Sequence, residues 1–190
     1  MNTRVNRSKK RIMQAFQTLL NDKDYCDITV TEIIEQADVG KTTFYRHYER
    51  KLDIFYELHR LFFARLLSSY DQAEQWLSPV PSDAVVRLLA FFSNESGFRR
   101  SLTYKLGNDW SQASRQLKQD LAAQIETQLT EVFGAERFDM ALTDLSGALA
   151  ALFIEFIGQA VNGPKQTGME EKAANLQRLI RAQVTAALNP

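Results

Sequence analysis

Residues 29–51 read TVTEIIEQADVGKTTFYRHYERK, and this stretch decides the fold. Thr29 is a natural N-cap, because its side-chain oxygen can take one of the unpaired N–H groups at a helix start. Ile33, Ile34 and Ala37 then give a short helix one apolar side. Asp38-Val39-Gly40 interrupts it, and a second short helix follows with Phe44 and Tyr48 four residues apart on one face. Two short helices around a tight turn make a helix-turn-helix. The second helix of such a unit can enter a major groove and present its N-terminal residues to base edges. With Phe44 and Tyr48 turned inward, the exposed side is left with Lys41, Thr42, Tyr45, Arg46 and His47. Cations, hydroxyls and an aromatic ring are the groups that phosphate and base-edge contacts use. The same spacing also describes an ordinary solvated amphipathic helix, and spacing alone does not choose between the two.

Outward from this stretch the helical pattern continues. Upstream, Ile12, Ala15, Phe16, Leu19 and Leu20 form one stripe of a helix, with Thr3 as its expected N-cap and Asn21-Asp22 at its end. Three helices thus fall before residue 49, compact enough for a three-helix unit. Downstream, Leu52, Phe55, Tyr56, Phe62, Phe63, Leu66, Leu67 and Tyr70 read as one long helix from Lys51 to the proline pair Ser78-Pro79-Val80-Pro81. Further helices are expected near Asp83–Asn94, Gly97–Leu106, Gln112–Phe133, Arg137–Val161 and Glu170–Leu188. Breaks are expected at Gly107-Asn108, Gly134 and Asn162-Gly163-Pro164. No alternating strand pattern, internal repeat or low-complexity tract appears. The predicted fold class is all-α.

From Arg11 to Phe55 the chain resembles the DNA-binding signature of the TetR family of transcriptional regulators. Ile12–Leu20 resembles the family's first helix, and Tyr25-Cys26-Asp27-Ile28-Thr29-Val30 the approach to the second. Ile33-Ile34 with Ala37 and Val39 resembles the second helix and turn. Lys41-Thr42-Thr43-Phe44-Tyr45-Arg46-His47-Tyr48 resembles the recognition helix, and Lys51 the basic residue that opens the fourth. Asp38 stands where the family usually has glycine, and Asp tolerates a left-handed backbone better than most residues. The resemblance implies that Lys41, Thr42 and Tyr45 face bases. It implies that Thr43, His47 and Lys51 hold phosphates, and that Thr31 reaches either. Arg4 and Arg7 read equally as contacts to the flanking backbone or as a solvated basic arm. A lysine at a helix start opposes the helix dipole, which favours a role for Lys51 outside its own helix.

The whole chain sets bounds on this reading. It has 190 residues, 45% hydrophobic and 24% charged, with 8 Gly and 4 Pro, an ordinary soluble globular composition. Lys plus Arg and Asp plus Glu both number 23, so the surface is not uniformly basic and distribution matters more than the total. Arg4, Arg7, Lys9, Lys10 and Arg11 form one basic group; Lys41, Arg46, Arg50 and Lys51 form another, interrupted by Glu49. The sole cysteine, Cys26, excludes an internal disulfide and fits a reducing compartment. No signal peptide is read, and the apolar run Gly147–Val161 is too short for a membrane span, so a cytoplasmic protein with no membrane partner is expected.

Gly40-Lys41-Thr42-Thr43 echoes a phosphate-binding loop, but position 35 holds Glu35 where that motif needs glycine, and it lies in a helix. His47, His59 and Cys26 cannot make a tetrahedral zinc set. No catalytic motif appears. The expectation is a non-enzyme with no cofactor and no metal.

The segment after Lys51 resembles the TetR regulatory domain more loosely. FSNESGFRRSLTYKL (residues 92–106) and AALFIEFIGQAVNG (residues 150–163) resemble a subgroup that includes regulators of dihydroxyacetone kinase operons. From the residues themselves, the helix Leu142–Val161 is apolar nearly all round through Leu145, Leu149, Leu152, Phe153, Phe156 and Ile157. Such a helix must be covered on several sides. The last helix carries the stripe Leu176, Leu179, Ile180, Val184 and Leu188. Pairing both with their symmetry mates gives a four-helix homodimer interface, which the resemblance also implies. The aromatics Phe62, Phe63, Tyr70, Phe91, Phe92, Phe98, Tyr104 and Trp110 read equally as the lining of an effector pocket or as core. The expectation is a helix-turn-helix domain over residues 1–50 and a helical sensing and dimerisation domain over 51–190. Its function would be that of a homodimeric, ligand-responsive repressor on a palindromic double-stranded operator. The alternative is an interaction protein that uses the same dimer to bind a protein partner.

Overall fold

The structure, a computed structural model, describes residues 3–94, 104–162 and 168–189. In chain order the elements are α1 (Thr3–Asp22), a 3₁₀ turn (Tyr25–Asp27), α2 (Val30–Gln36), α3 (Lys41–His47), α4 (Lys51–Leu67), α5 (Ala73–Leu77) and α6 (Asp83–Asn94). A 3₁₀ turn (Tyr104–Asp109), α7 (Trp110–Phe133), a third 3₁₀ turn (Ala135–Arg137), α8 (Leu142–Asn162) and α9 (Met169–Ala187) complete it. An isolated antiparallel bridge between Phe138 and Leu188 is the only β pairing among the described residues. The fold is all-α, as expected.

The chain packs as two compact units. One gathers the described residues up to His59 with the described part of 95–114; the other gathers Arg60–Asn94 with the described part of 115–190. In the first unit Ile12, Phe16, Tyr25, Ile28, Ile33, Phe44, Tyr48, Leu52 and Phe55 are all buried. Tyr25 meets Phe16 and Phe55 edge-on, at 6.3 and 6.0 Å between ring centroids. Such edge-to-face packing adds to simple burial. In the second unit the core runs through Leu66, Tyr70, Trp76, Val85, Leu89, Leu121, Ile125, Leu149, Phe153, Leu176 and Ile180. Gln177 is buried there with its amide satisfied: Tyr70 Oη donates to Oε1 at 2.8 Å, and Nε2 donates to the Gln75 and Ser78 carbonyls at 3.0 and 3.1 Å.

Several boundaries differ from the pattern reading, each for a local reason. The long helix expected from Lys51 to Ser78 is two helices. Ser68 and Ser69 turn their hydroxyls back onto the Arg65 and Leu66 carbonyls at 2.7 and 2.8 Å, ending α4. At the start of α5 the Gln72 N–H donates to Gln75 Oε1 at 2.6 Å, and the Gln75 N–H to the Gln72 carbonyl at 3.2 Å. The helix expected from Arg137 begins only at Leu142, because Asp139 N–H and Asn189 N–H pair instead with the Ala187 and Arg137 carbonyls. Thr3 is the first residue of α1 rather than its cap, and Tyr48 is the C-cap of α3 rather than a member of it. Residues 97–103 of the expected helix Gly97–Leu106, and the break at Gly163-Pro164, lie outside the described residues.

The membrane argument needs a correction. Counted from Leu142 rather than Gly147, the run Leu142–Val161 has 20 residues and is long and apolar enough to cross a membrane. In the fold it is a core helix: Leu145, Leu149, Phe153 and Ile157 are buried within the second unit. Leu152, Ile154 and Phe156 remain half-buried and Ala148 and Ala151 exposed.

Candidate nucleic-acid interface

The turn between α2 and α3 is built by local chemistry. Thr29 and Glu32 form a capping box: the Glu32 N–H donates to Thr29 Oγ1 at 3.2 Å, and the Thr29 N–H donates to Glu32 Oε2 at 2.8 Å. Lys23 pairs with the same carboxylate, and these contacts pull the Glu32 pKa down to about 2, with the Lys23 hydrogen bond as the largest cause. Asp38 adopts φ +46°, the left-handed conformation expected where the family usually has glycine. Arg11 of α1 donates to both the carbonyl and the carboxylate of Asp38, each at 2.6 Å. α1 thereby holds the turn that aims α3.

On α3 the division between inside and outside is clean. Phe44 is fully buried and Tyr48 nearly so, whereas Tyr45 is 49% exposed. Lys41, Thr42 and Arg46 are exposed; with Tyr45 they line one shallow concavity. Thr43 and His47 are half-buried, and Thr31 is exposed on α2. Thus Lys41, Thr42 and Tyr45 come together on one surface with Arg46. The resemblance carried no role for Arg46, although its exposure was legible from the spacing.

Below α3, Glu57 of α4 accepts from Tyr48 Oη at 2.8 Å and pairs with Lys9 of α1 at 2.7 Å. Burial, then this hydrogen bond, push the Tyr48 pKa well above the phenolic range. Asp53 accepts from the Glu49 and Arg50 N–H groups at 3.0 and 2.9 Å and so fixes the link from α3 to α4. Ser8 Oγ of α1 lies 2.9 Å from His47 Nε2, a contact that nothing in the local sequence signalled.

Lys51 has a use the sequence did not show. Its Nζ donates to the carbonyls of Tyr25 and Ile28, each at 2.6 Å, and to that of Cys26 at 3.3 Å. It also sits 4.3 Å from the centroid of the Tyr25 ring. An ammonium has three N–H donors, so this geometry occupies all of them. The phosphate contact implied for Lys51 therefore competes with three carbonyls of the chain's own 3₁₀ turn. Lys51 acts outside its own helix, which the dipole argument favoured, but on Tyr25–Ile28. Burial lowers its pKa, since desolvation disfavours the ammonium.

No protein-family model and no curated protein matches the sequence. Solved structures do. DhaS, a dihydroxyacetone kinase operon activator, aligns with a TM-score of 0.58 and 17% identity, over 96% of this chain and 98% of its own. A TetR transcriptional regulator from Streptococcus agalactiae aligns at 0.57 and 22% identity, over 93% and 95%. FadR of Thermus thermophilus, a TetR-family repressor solved with lauroyl-CoA, aligns at 0.60 and 19% identity, over 90% and 92%.

The fold is that of the TetR regulators.

The helix-turn-helix of α2 and α3 lies in the first of the two compact units. These structural neighbours are transcriptional regulators rather than enzymes.

Proposed function

We propose that the chain is a homodimeric, ligand-responsive transcriptional regulator, with the sign of a repressor, that binds a near-palindromic DNA operator through α3. The observation that carries this reading is the face of α3. Phe44 is locked into the core while Lys41, Thr42, Tyr45 and Arg46 stand together in solvent. A solvated helix would need none of the order beneath it, yet Arg11, Asp38, Glu57 and Asp53 fix the turns on both sides of α3. In this reading Lys41, Thr42 and Tyr45 contact bases, Thr43 and His47 hold phosphates, and Thr31 reaches either from α2. Lys51 supports the 3₁₀ turn instead of taking a phosphate.

Residues 1–50 would read DNA and 51–190 would sense and dimerise, in the cytoplasm. Dimerisation is supported by α8 and α9. Beyond their buried stripes they leave Leu152, Ile154 and Phe156 half-buried and Leu179 42% exposed, with Ala148 and Ala151 open. Apolar surface of this kind marks an interaction site. An effector of small-molecule size is supported by the FadR complex with lauroyl-CoA. Of the aromatics considered for its pocket, Phe63, Tyr70 and Phe92 are buried, which favours core for these three; Phe91 is 45% exposed. The side chains of Phe98 and Tyr104 lie outside the described residues.

Selection from a random duplex library tests the reading. The wild-type chain should enrich a near-palindrome whose half-sites lie about 34–36 Å apart or a similar whole-turn distance. Failure to enrich any sequence would leave the protein-partner alternative in its place.

A further inference from the structure

The residues of α3 divide by angle as well as by burial. A helix turns about 100° per residue. Thr42 and Arg46 lie two residues to either side of the buried Phe44, so each stands about 160° from that ring, on the side facing away from the core. Tyr45 follows Phe44 directly and lies to the flank, about 100° away. Thr42 and Arg46 are neighbours at i and i+4, one row along the outer side of the helix, and with Lys41 and Tyr45 they line its shallow concavity. Arg46 is exposed and enters no ion pair among the described residues. Other cations of this unit are occupied: Lys9 by Glu57, Arg11 by Asp38, Arg50 by Asp53 and Lys51 by three carbonyls.

Resting on the reading of α3 as a recognition helix, we propose that Arg46 is a specificity-determining residue whose guanidinium recognises a guanine in each half-site. A recognition helix lies in the major groove, so the side opposite its core face meets the base edges. There a guanine presents two acceptors side by side, O6 and N7, whereas adenine and cytosine each present an amino donor. A guanidinium carries five N–H donors in a planar fork and no acceptor, so it matches guanine and is mismatched against the amino groups. The long side chain carries this fork outward from the second turn of α3, while Thr42 offers a short hydroxyl from the first. No acid among the described residues draws the fork aside, so its donors remain available to a base. Arg46 also stands in the last turn, where a cation suits the helix dipole. That use engages the charge and leaves the fork facing outward.

The experiment uses the full chain and a fluorescein-labelled duplex enriched from a random library by the wild-type protein, with binding followed by anisotropy. Each guanine of the half-site is replaced in turn by 7-deazaguanine, which pairs normally but lacks the N7 acceptor. One such replacement should weaken wild-type binding and leave Arg46→Ala unaffected. On the unmodified duplex Arg46→Ala should bind about 5- to 150-fold more weakly per half-site, the range for one bidentate base contact. Its preference at that one base pair should disappear while preferences elsewhere persist. Circular dichroism should show unchanged helicity, since the side chain is exposed. Equal weakening on every sequence, with the 7-deazaguanine penalty intact in the variant, would make Arg46 a phosphate contact and overturn the proposal. Unchanged binding by Arg46→Ala, or an enriched half-site without a guanine, would overturn it too. Each of these three outcomes leaves the regulator reading standing; only failure of the wild type to enrich any duplex removes that reading, and the role of Arg46 with it.

Discussion

Tyr25 Oη donates to Asp109 Oδ2 at 2.9 Å across 84 positions of sequence, within one compact unit. Burial, then this bond, drive the Tyr25 pKa far above its ordinary value. Next to it Gly107 adopts φ +57°, and a Cβ placed there would stand 3.0 Å from Cys26 Sγ. The 3₁₀ turn Tyr104–Asp109 is thus fitted closely against the turn Tyr25–Asp27. Tyr25→Phe keeps the ring packing and removes only the hydroxyl. It should cost about 1 kcal/mol and lower Tm by about 2–4 °C. Asp109→Asn in a double-mutant cycle should show coupling with it. Strict additivity of the two substitutions would mean the contact contributes nothing.

Lys51 separates two uses of one cation. If its ammonium serves the Tyr25, Cys26 and Ile28 carbonyls, Lys51→Met should destabilise the fold by about 1.5–3 kcal/mol, the range for hydrogen bonds involving a charged group. The salt slope of DNA binding should then stay near that of the wild type. A phosphate contact predicts the reverse: unchanged melting, and a slope smaller by about one unit per half-site. Denaturant unfolding and salt titrations of the same variant decide between them.

His59 sets a pH dependence of stability. Complete burial pushes its pKa down to about 4 from 6.5, against the opposing hydrogen bond between Nδ1 and the Phe55 carbonyl. The unfolded chain therefore takes up a proton at higher pH than the folded one. The contribution is intact above pH 6.5 and is lost as pH falls toward 4, a total of about 3 kcal/mol. His59→Phe keeps an aromatic ring beside Phe55 and removes the titration. Guanidinium unfolding between pH 7.5 and 4.5 should show a shallower acid loss for the variant; parallel curves would contradict the assignment.

Leu149 and Phe153 are poor probes of dimerisation, since both are fully buried within the chain. Leu179 is the better one, at 42% exposed on α9. Wild-type protein should sediment at micromolar concentration as a species of twice 21.7 kDa, and Leu179→Asp should shift it toward the monomer with helicity retained. A folded wild-type monomer would remove the dimer from the account.

How far the sequence reached depends on the range of the interactions involved. α2, its Thr29 cap and the inward Phe44 were legible from spacings within four residues, whereas the left-handed Asp38 was legible only through the resemblance. The split between α4 and α5 was not read, since an unbroken apolar pattern continues to Tyr70. The serines that end α4 act through side-chain bonds that a periodicity count ignores. On the final helix, periodicity groups Leu179 with Leu176, Ile180, Val184 and the half-buried Leu188 as one stripe. The fold buries Leu176, Ile180 and Val184 and leaves Leu179 outside. The contacts of Ser8 and Lys51 were invisible for a different reason. Both depend on partners more than 20 positions away, and no spacing rule encodes them.

The central claim is that α3 reads bases, and Tyr45 tests it most directly, because its ring is exposed and is not one of the cations that set salt dependence. Wild type and Tyr45→Ala should be titrated against the enriched palindrome and each single-base change, at several salt concentrations. The account predicts a loss of about 1–3 kcal/mol per contact on the palindrome, with weaker discrimination at particular base pairs and an unchanged salt slope. Equal weakening on every sequence, or none on any, would contradict it.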